Sequence, residues 1–153
     1  MKAKVLALLA AGVLLFPTME YAETSIDCNG VGKIFNAKAE LEKGICKIEI
    51  VRKNKQLIHQ SRAIEPKMIE FVYHMSFEKQ GEATKVLGEL ALLETEVNPV
   101  IDELRKGKIE ISAIHNHWMG EHPRIMYLHL QGIGKEMKLA KTIKNAIDKT
   151  DYK

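Results

Sequence analysis

The chain has 153 residues, with 23 lysines and arginines against 20 aspartates and glutamates, for a formal net charge of +3. The length suits one domain with a single sizeable core. The basic residues are scattered, without a long run or interleaved aromatics, which argues against nucleic acid as a partner.

Lys2 and Lys4 precede an apolar run from Val5 to Phe16 that Pro17 ends. The run is too short for an ordinary transmembrane span and fits the hydrophobic region of an export signal, with Ala22 as the last residue removed. The alternative is a retained membrane anchor. No lipobox-like cysteine follows the run directly, so nothing supports a lipid anchor. On this reading residues 1–22 are a signal peptide, 23–30 a loose N-terminal segment and 31–153 a single domain. The mature protein is then periplasmic, cell-envelope or secreted, and meets the membrane only through the signal segment before cleavage. Export places Cys28 and Cys46 in an oxidising compartment. A bridge between them would stabilise by roughly 3 kcal/mol, but spacing leaves a disulfide and two free thiols both open. The pair lacks the C-x-x-C spacing of a redox site, and it lies away from the histidine segment described below, against a Cys-rich metal site.

Val31 to Glu40 predicts a short helix with Ile34 and Phe35 on its apolar side, broken by Gly44. In Ile45 to Val51, Cys46, Ile48 and Ile50 alternate with Ile45, Lys47 and Glu49, which is a strand pattern. Gln56 to Ser61 is a weaker strand and Arg62 to Pro66 a connection. Met68 to Phe77 reads as a stronger strand with Ile69, Phe71, Tyr73, Met75 and Phe77 on one face. After a turn near Gly81, Val86 to Leu93 is apolar on both faces, hence central and covered. Asn98-Pro99 starts a helix, Asn as cap and Pro at the first turn, which runs to Lys106 and stops at Gly107. Two strands follow, Ile111 to His117 and Arg124 to His129, joined by a loop containing Gly120 and Pro123. Gly132-Ile-Gly134 reads as a turn into a last helix, Lys135 to Asp148, whose Met137, Ala140, Ile143, Ala146 and Ile147 recur at helical spacing. The fold class is α+β, with a largely antiparallel sheet covered by helices on one face.

The histidine strands carry the chemistry. His115 and His117 stand at i, i+2 and project to the same side of a strand, about 6.5 Å apart at Cα. Both rings can lean toward one metal at about 2.0–2.1 Å, and His129 on the neighbouring strand is the natural third ligand. A conflict of faces stands in the way. His115 and His117 share a face with Ile109, Ile111 and Ala113, whereas His129 lies opposite Met126, Leu128 and Leu130. Matching the apolar sides turns His129 away from the pair, and a one-residue slip reverses the outcome. The alternative for all three is a structural, hydrogen-bonded histidine.

Glu89 sits within an apolar strand, where a charge is costly unless paired, so it is a candidate ligand or general base, unless that strand is an exposed edge. Glu96 suits the positive end of the following helix. Trp118 is a possible platform for a sugar ring or a partner, or a packing residue. Glu121 and Arg124 flank the loop as candidate substrate contacts, or simply form a solvated turn. There is no nucleophile elbow, Walker loop or His-Glu-x-x-His helix. The expectation is a histidine-lined pocket that takes a divalent metal such as zinc, or a small polar ligand, with metal-assisted hydrolysis the simplest reaction. The competing expectation is a non-catalytic cell-envelope binding or interaction module with structural histidines.

The segments Gly88-Glu-Leu-Ala-Leu-Leu-Glu-Thr-Glu-Val-Asn-Pro-Val100, Ile114-His-Asn-His117, Glu121-His-Pro123 and Leu128-His129 together resemble the LppY/LpqO family of exported bacterial proteins, a domain of unknown function. The resemblance runs from about Val31 to the C-terminal helix. It implies an exported or surface protein built on one such domain and supplies no activity. The chain departs from the family pattern in two places. Arg52 to Asn54 lacks a Pro-Arg-x-Asp-like sequence, and His122 stands in place of an acidic residue.

Overall fold

The structure, a computed structural model, describes residues 25–152; the expected signal peptide, residues 1–22, lies outside the described residues. The first helix, α1 (Cys28–Phe35), takes in residues 28–30, which were expected to be loose. The Asp27 carboxylate accepts a hydrogen bond from the Gly30 N–H, and Asn36 in the left-handed region closes the helix. The rest of the expected helix is instead β1 (Ala39–Glu42), which turns into β2 (Ile45–Val51). Lys43 and Gly44 both have positive φ, as a tight hairpin requires, so Gly44 marks a turn between strands and not a helix end.

β3 (Leu57–His59) and β4 (Arg62–Ile64) form a second hairpin, which makes a strand of the expected connection. Pro66–Ile69 is a 3-10 turn, and Glu70 at φ 56° reverses the chain before β5 (Val72–Gln80). Ile69 and Phe71 therefore do not continue the face of Tyr73, Met75 and Phe77, and they pack elsewhere. β6 (Ala83–Leu93) leads through a 3-10 turn to α2 (Val97–Lys106). Then come β7 (Glu110–His115), β8 (Glu121–His122), β9 (Ile125–Gly134) and α3 (Glu136–Ile147). Gly132 and Gly134 thus belong to the strand β9 itself. Among the described residues no helix is long and apolar enough to cross a membrane.

The main sheet has the order β1-β2-β5-β6-β9-β7, antiparallel throughout, with β6 in its interior. On one face Ile48, Met75, Phe77, Leu90 and Leu128 pack against Val31 and Phe35 of α1, Leu104 of α2 and Ile143 of α3. Each such burial contributes about 1.5–3 kcal/mol. A disulfide between Cys28 and Cys46 ties α1 to β2 on this face. The opposite face is also covered, but at one end only. There the small sheet β4-β3-β8 and the 3-10 turn close a second core of Leu57, Ile69, Phe71, Ala91, Ile125 and Tyr127.

Candidate metal centre

The conflict between apolar and histidine faces is resolved by a bulge in β7. Ile111 pairs with Leu130, and Ala113, two residues on, pairs with the very next residue of β9, His129. Ser112 is the extra residue. One unpaired residue shifts the side-chain alternation by one. Ile109 and Ile111 therefore face the helices, while Ala113 and His115 share the face of His129 and Tyr127. The apolar sides match, and His129 nevertheless lies beside His115 and His117.

The rings are close. His115 Nε2 and His129 Nε2 are 2.9 Å apart, and the His115 ring lies 4.9 Å from that of His117 and 5.0 Å from that of His129, centroid to centroid. Ring nitrogens of all three fall within 4.8 Å of one another. His117 lies flat on Tyr127, with centroids 3.5 Å apart and planes 2° from parallel. Tyr127 is a rigid floor. It is fully buried and its hydroxyl donates to the Ile69 carbonyl. Burial pushes its ionisation above the ordinary tyrosine range, against the opposing effect of a hydrogen bond with Trp118.

Two carboxylates complete the cluster. Glu89 lies on β6 between the cross-strand neighbours His74 and His129. Its strand is interior, so the exposed-edge alternative does not hold. Glu89 Oε2 is 3.1 Å from His129 Nε2 and 4.0 Å from His117 Nε2. The second carboxylate, Glu70, was not singled out from sequence as a site residue. It follows the 3-10 turn in a left-handed conformation, which no hydrophobic period announces, and its Oε2 lies 3.0 Å from His117 Nδ1. That contact occupies Nδ1 and leaves Nε2 as the His117 nitrogen nearer Glu89.

The remaining candidates are placed differently. Trp118 stands edge-on to both His59 and His117, partly exposed, and walls one side of the cluster. Glu121 is not in a solvated turn. It lies on β8 across from His59, its side chain 2% exposed, with Arg124 Nε 3.5 Å away and no hydrogen bond to either carboxylate oxygen among the described residues. Glu121 and Arg124 thus pair with each other. Glu96 makes no side-chain cap bond to α2; it accepts from the Leu93 N–H at the start of the preceding 3-10 turn, and its main partner is Arg52, deep in the protein.

Three imidazole nitrogens and two carboxylates so arranged have the donor chemistry of a divalent cation site. No curated protein and no solved structure matches the chain. A family match covers residues 29–149, from α1 through α3, and includes every residue of the cluster. The chain therefore belongs to the family described as Domain of Unknown Function (DUF1259).

Proposed function

We propose that the protein is an exported cell-envelope or periplasmic domain of the LppY/LpqO kind that holds a divalent cation on His115, His117 and His129 and engages a small polar ligand there. The observation that carries this reading is the convergence of three imidazoles, His115 and His129 on paired strands and His117 just beyond the end of β7, with His115 brought to the face of His129 by the Ser112 bulge. Glu70 adds support. A carboxylate on the far ring nitrogen of a histidine sets its tautomer and orientation and strengthens it as a ligand. Glu89 adds a carboxylate at the same centre, close enough to act on a bound water. A cation in such a place can lower the pKa of water to near 7, which makes metal-assisted hydrolysis the reaction class this site fits.

The test is metal analysis of untagged protein, with His115→Ala/His117→Ala as comparison. About one equivalent of divalent metal is expected in the native protein, with background content in the variant and a metal-dependent rise in Tm only in the former. Equal, negligible metal in both, with no thermal shift, would overturn the proposal.

A further inference from the structure

We infer that Glu89 is a ligand of this cation and not only a base beside it, that the cation is six-coordinate, and that it leaves two adjacent positions for a chelating pair of oxygens. The inference rests on the reading that the histidine cluster holds a metal, and it concerns the geometry and ligand class of that site.

The argument comes from distances between donor atoms. With bonds of about 2.0–2.1 Å, any two donors of a tetrahedral ion are about 3.3–3.4 Å apart. Around an octahedral ion, adjacent donors are about 2.9 Å apart and opposite donors about 4.1 Å. His115 Nε2 and His129 Nε2 are separated by 2.9 Å, and His129 Nε2 and Glu89 Oε2 by 3.1 Å, close to adjacent positions. His117 Nε2 and Glu89 Oε2 are separated by 4.0 Å. That is too far for two corners of a tetrahedron and close to the span across an octahedron. His117 and Glu89 then occupy opposite positions, and His115 and His129 two neighbouring ones in the plane between them. The two positions left in that plane adjoin each other.

Adjacent open positions suit one molecule that offers two oxygens, such as a carboxylate with a keto, hydroxyl or second carboxylate oxygen on the neighbouring carbon. The same geometry favours manganese, ferrous iron, cobalt or nickel over tetrahedral zinc, because selectivity among these ions follows site geometry and ligand type more than their raw affinity order.

Cobalt(II) reports coordination number directly, since four-coordinate cobalt absorbs strongly in the visible and six-coordinate cobalt weakly. The untagged full chain is titrated with cobalt(II), then with oxalate as a two-oxygen probe and acetate as a one-oxygen control. Expected are one-to-one binding with weak bands, a saturable spectral change with oxalate, and none with acetate at the same concentration. Glu89→Gln should weaken cobalt binding roughly ten- to a hundredfold and shift the bands toward the strong, four-coordinate form. Glu89→Asp, which keeps the carboxylate, should retain the weak bands. Far-ultraviolet circular dichroism verifies the fold of both variants. Strong four-coordinate bands in the native protein, unchanged by Glu89→Gln, would overturn this inference while leaving the histidine site standing. Failure of the native protein to bind cobalt would instead remove the metal reading beneath it.

Discussion

Arg52 has no exposed surface, yet it carries a full charge. Its guanidinium donates to both oxygens of Glu96, at 2.7 and 2.8 Å, and to the carbonyls of Ala91 and Asp151 at 2.9 Å each. It also lies over the Phe71 ring, 4.4 Å from the centroid. Glu96 in turn accepts from the Leu93 and Asp151 N–H groups. Taking two such charges out of water costs several kcal/mol per ion, and a bidentate pair with further hydrogen bonds offsets that cost. Arg52→Ala should lower stability by about 3–5 kcal/mol, because Glu96 would remain buried without its partner. Urea unfolding measures this. Arg52→Met/Glu96→Leu, which removes both charges, should cost much less. Nothing near Arg52 in the chain marks it as buried. Lys53, Asn54 and Lys55 follow it, and only the fold brings Glu96 to it.

At the scale of elements, the bulge in β7 decides which way the histidines face. Inserting one alanine between Ser112 and Ala113 would let Ser112 pair regularly, keep His115 on the same face and move it two positions along β9, from opposite Tyr127 to opposite Ile125 and away from His129. Bound cobalt should then fall to background, although β7 is an edge strand that tolerates irregular pairing. Deleting Ser112 should leave a regular strand with Ala113 still opposite His129, so metal binding should persist. Metal content alongside Tm distinguishes the two. The disulfide is a second device at this scale, joining α1 to β2 across a separation of 18 residues. Cys28→Ser/Cys46→Ser should lose about 3 kcal/mol, the entropy of closing a loop of that size in the unfolded chain, read as a lower urea midpoint. Alternation revealed β2, an apolar run on both faces revealed β6, and helical spacing revealed the core face of α3. Alternation missed β4, which is short and has only three residues with no clear polar face, and it joined the 3-10 turn to β5 because Ile69 and Phe71 happen to keep the strand period.

For the molecule as a whole, the C-terminal segment closes the edge of the helix-side core. The Tyr73 hydroxyl meets Thr150 Oγ1 at 2.7 Å, and the Tyr152 ring leans on that of Tyr73 at 5.9 Å. Burial raises the Tyr73 ionisation above the ordinary tyrosine range, outweighing the nearby Arg52 charge and the Thr150 hydrogen bond. The folded state therefore holds this proton more tightly than the unfolded chain does. The stability that follows is fully present below about pH 10 and is lost as pH rises beyond it, by up to about 1.4 kcal/mol per pH unit. Tyr73→Phe should flatten the fall in urea midpoint between about pH 9.5 and 11. An unchanged slope would show that Tyr73 ionises no later in the folded protein than in the unfolded chain.

The order of amino acids alone specifies the α+β class, the antiparallel strands, the core stripe of α3 and the proximity of His115 to His117, because each is a local matter of spacing and backbone preference. It also nominates Glu89 and His129 from residue type and strand membership. Whether His129 meets the other two depends on a pairing register, and that register was decided by one unpaired serine against a strand distant in sequence. Glu70 and the Arg52–Glu96 pair are of the same kind. Their partners are brought to them by packing, and periodicity along the chain carries no information about which remote residue will arrive.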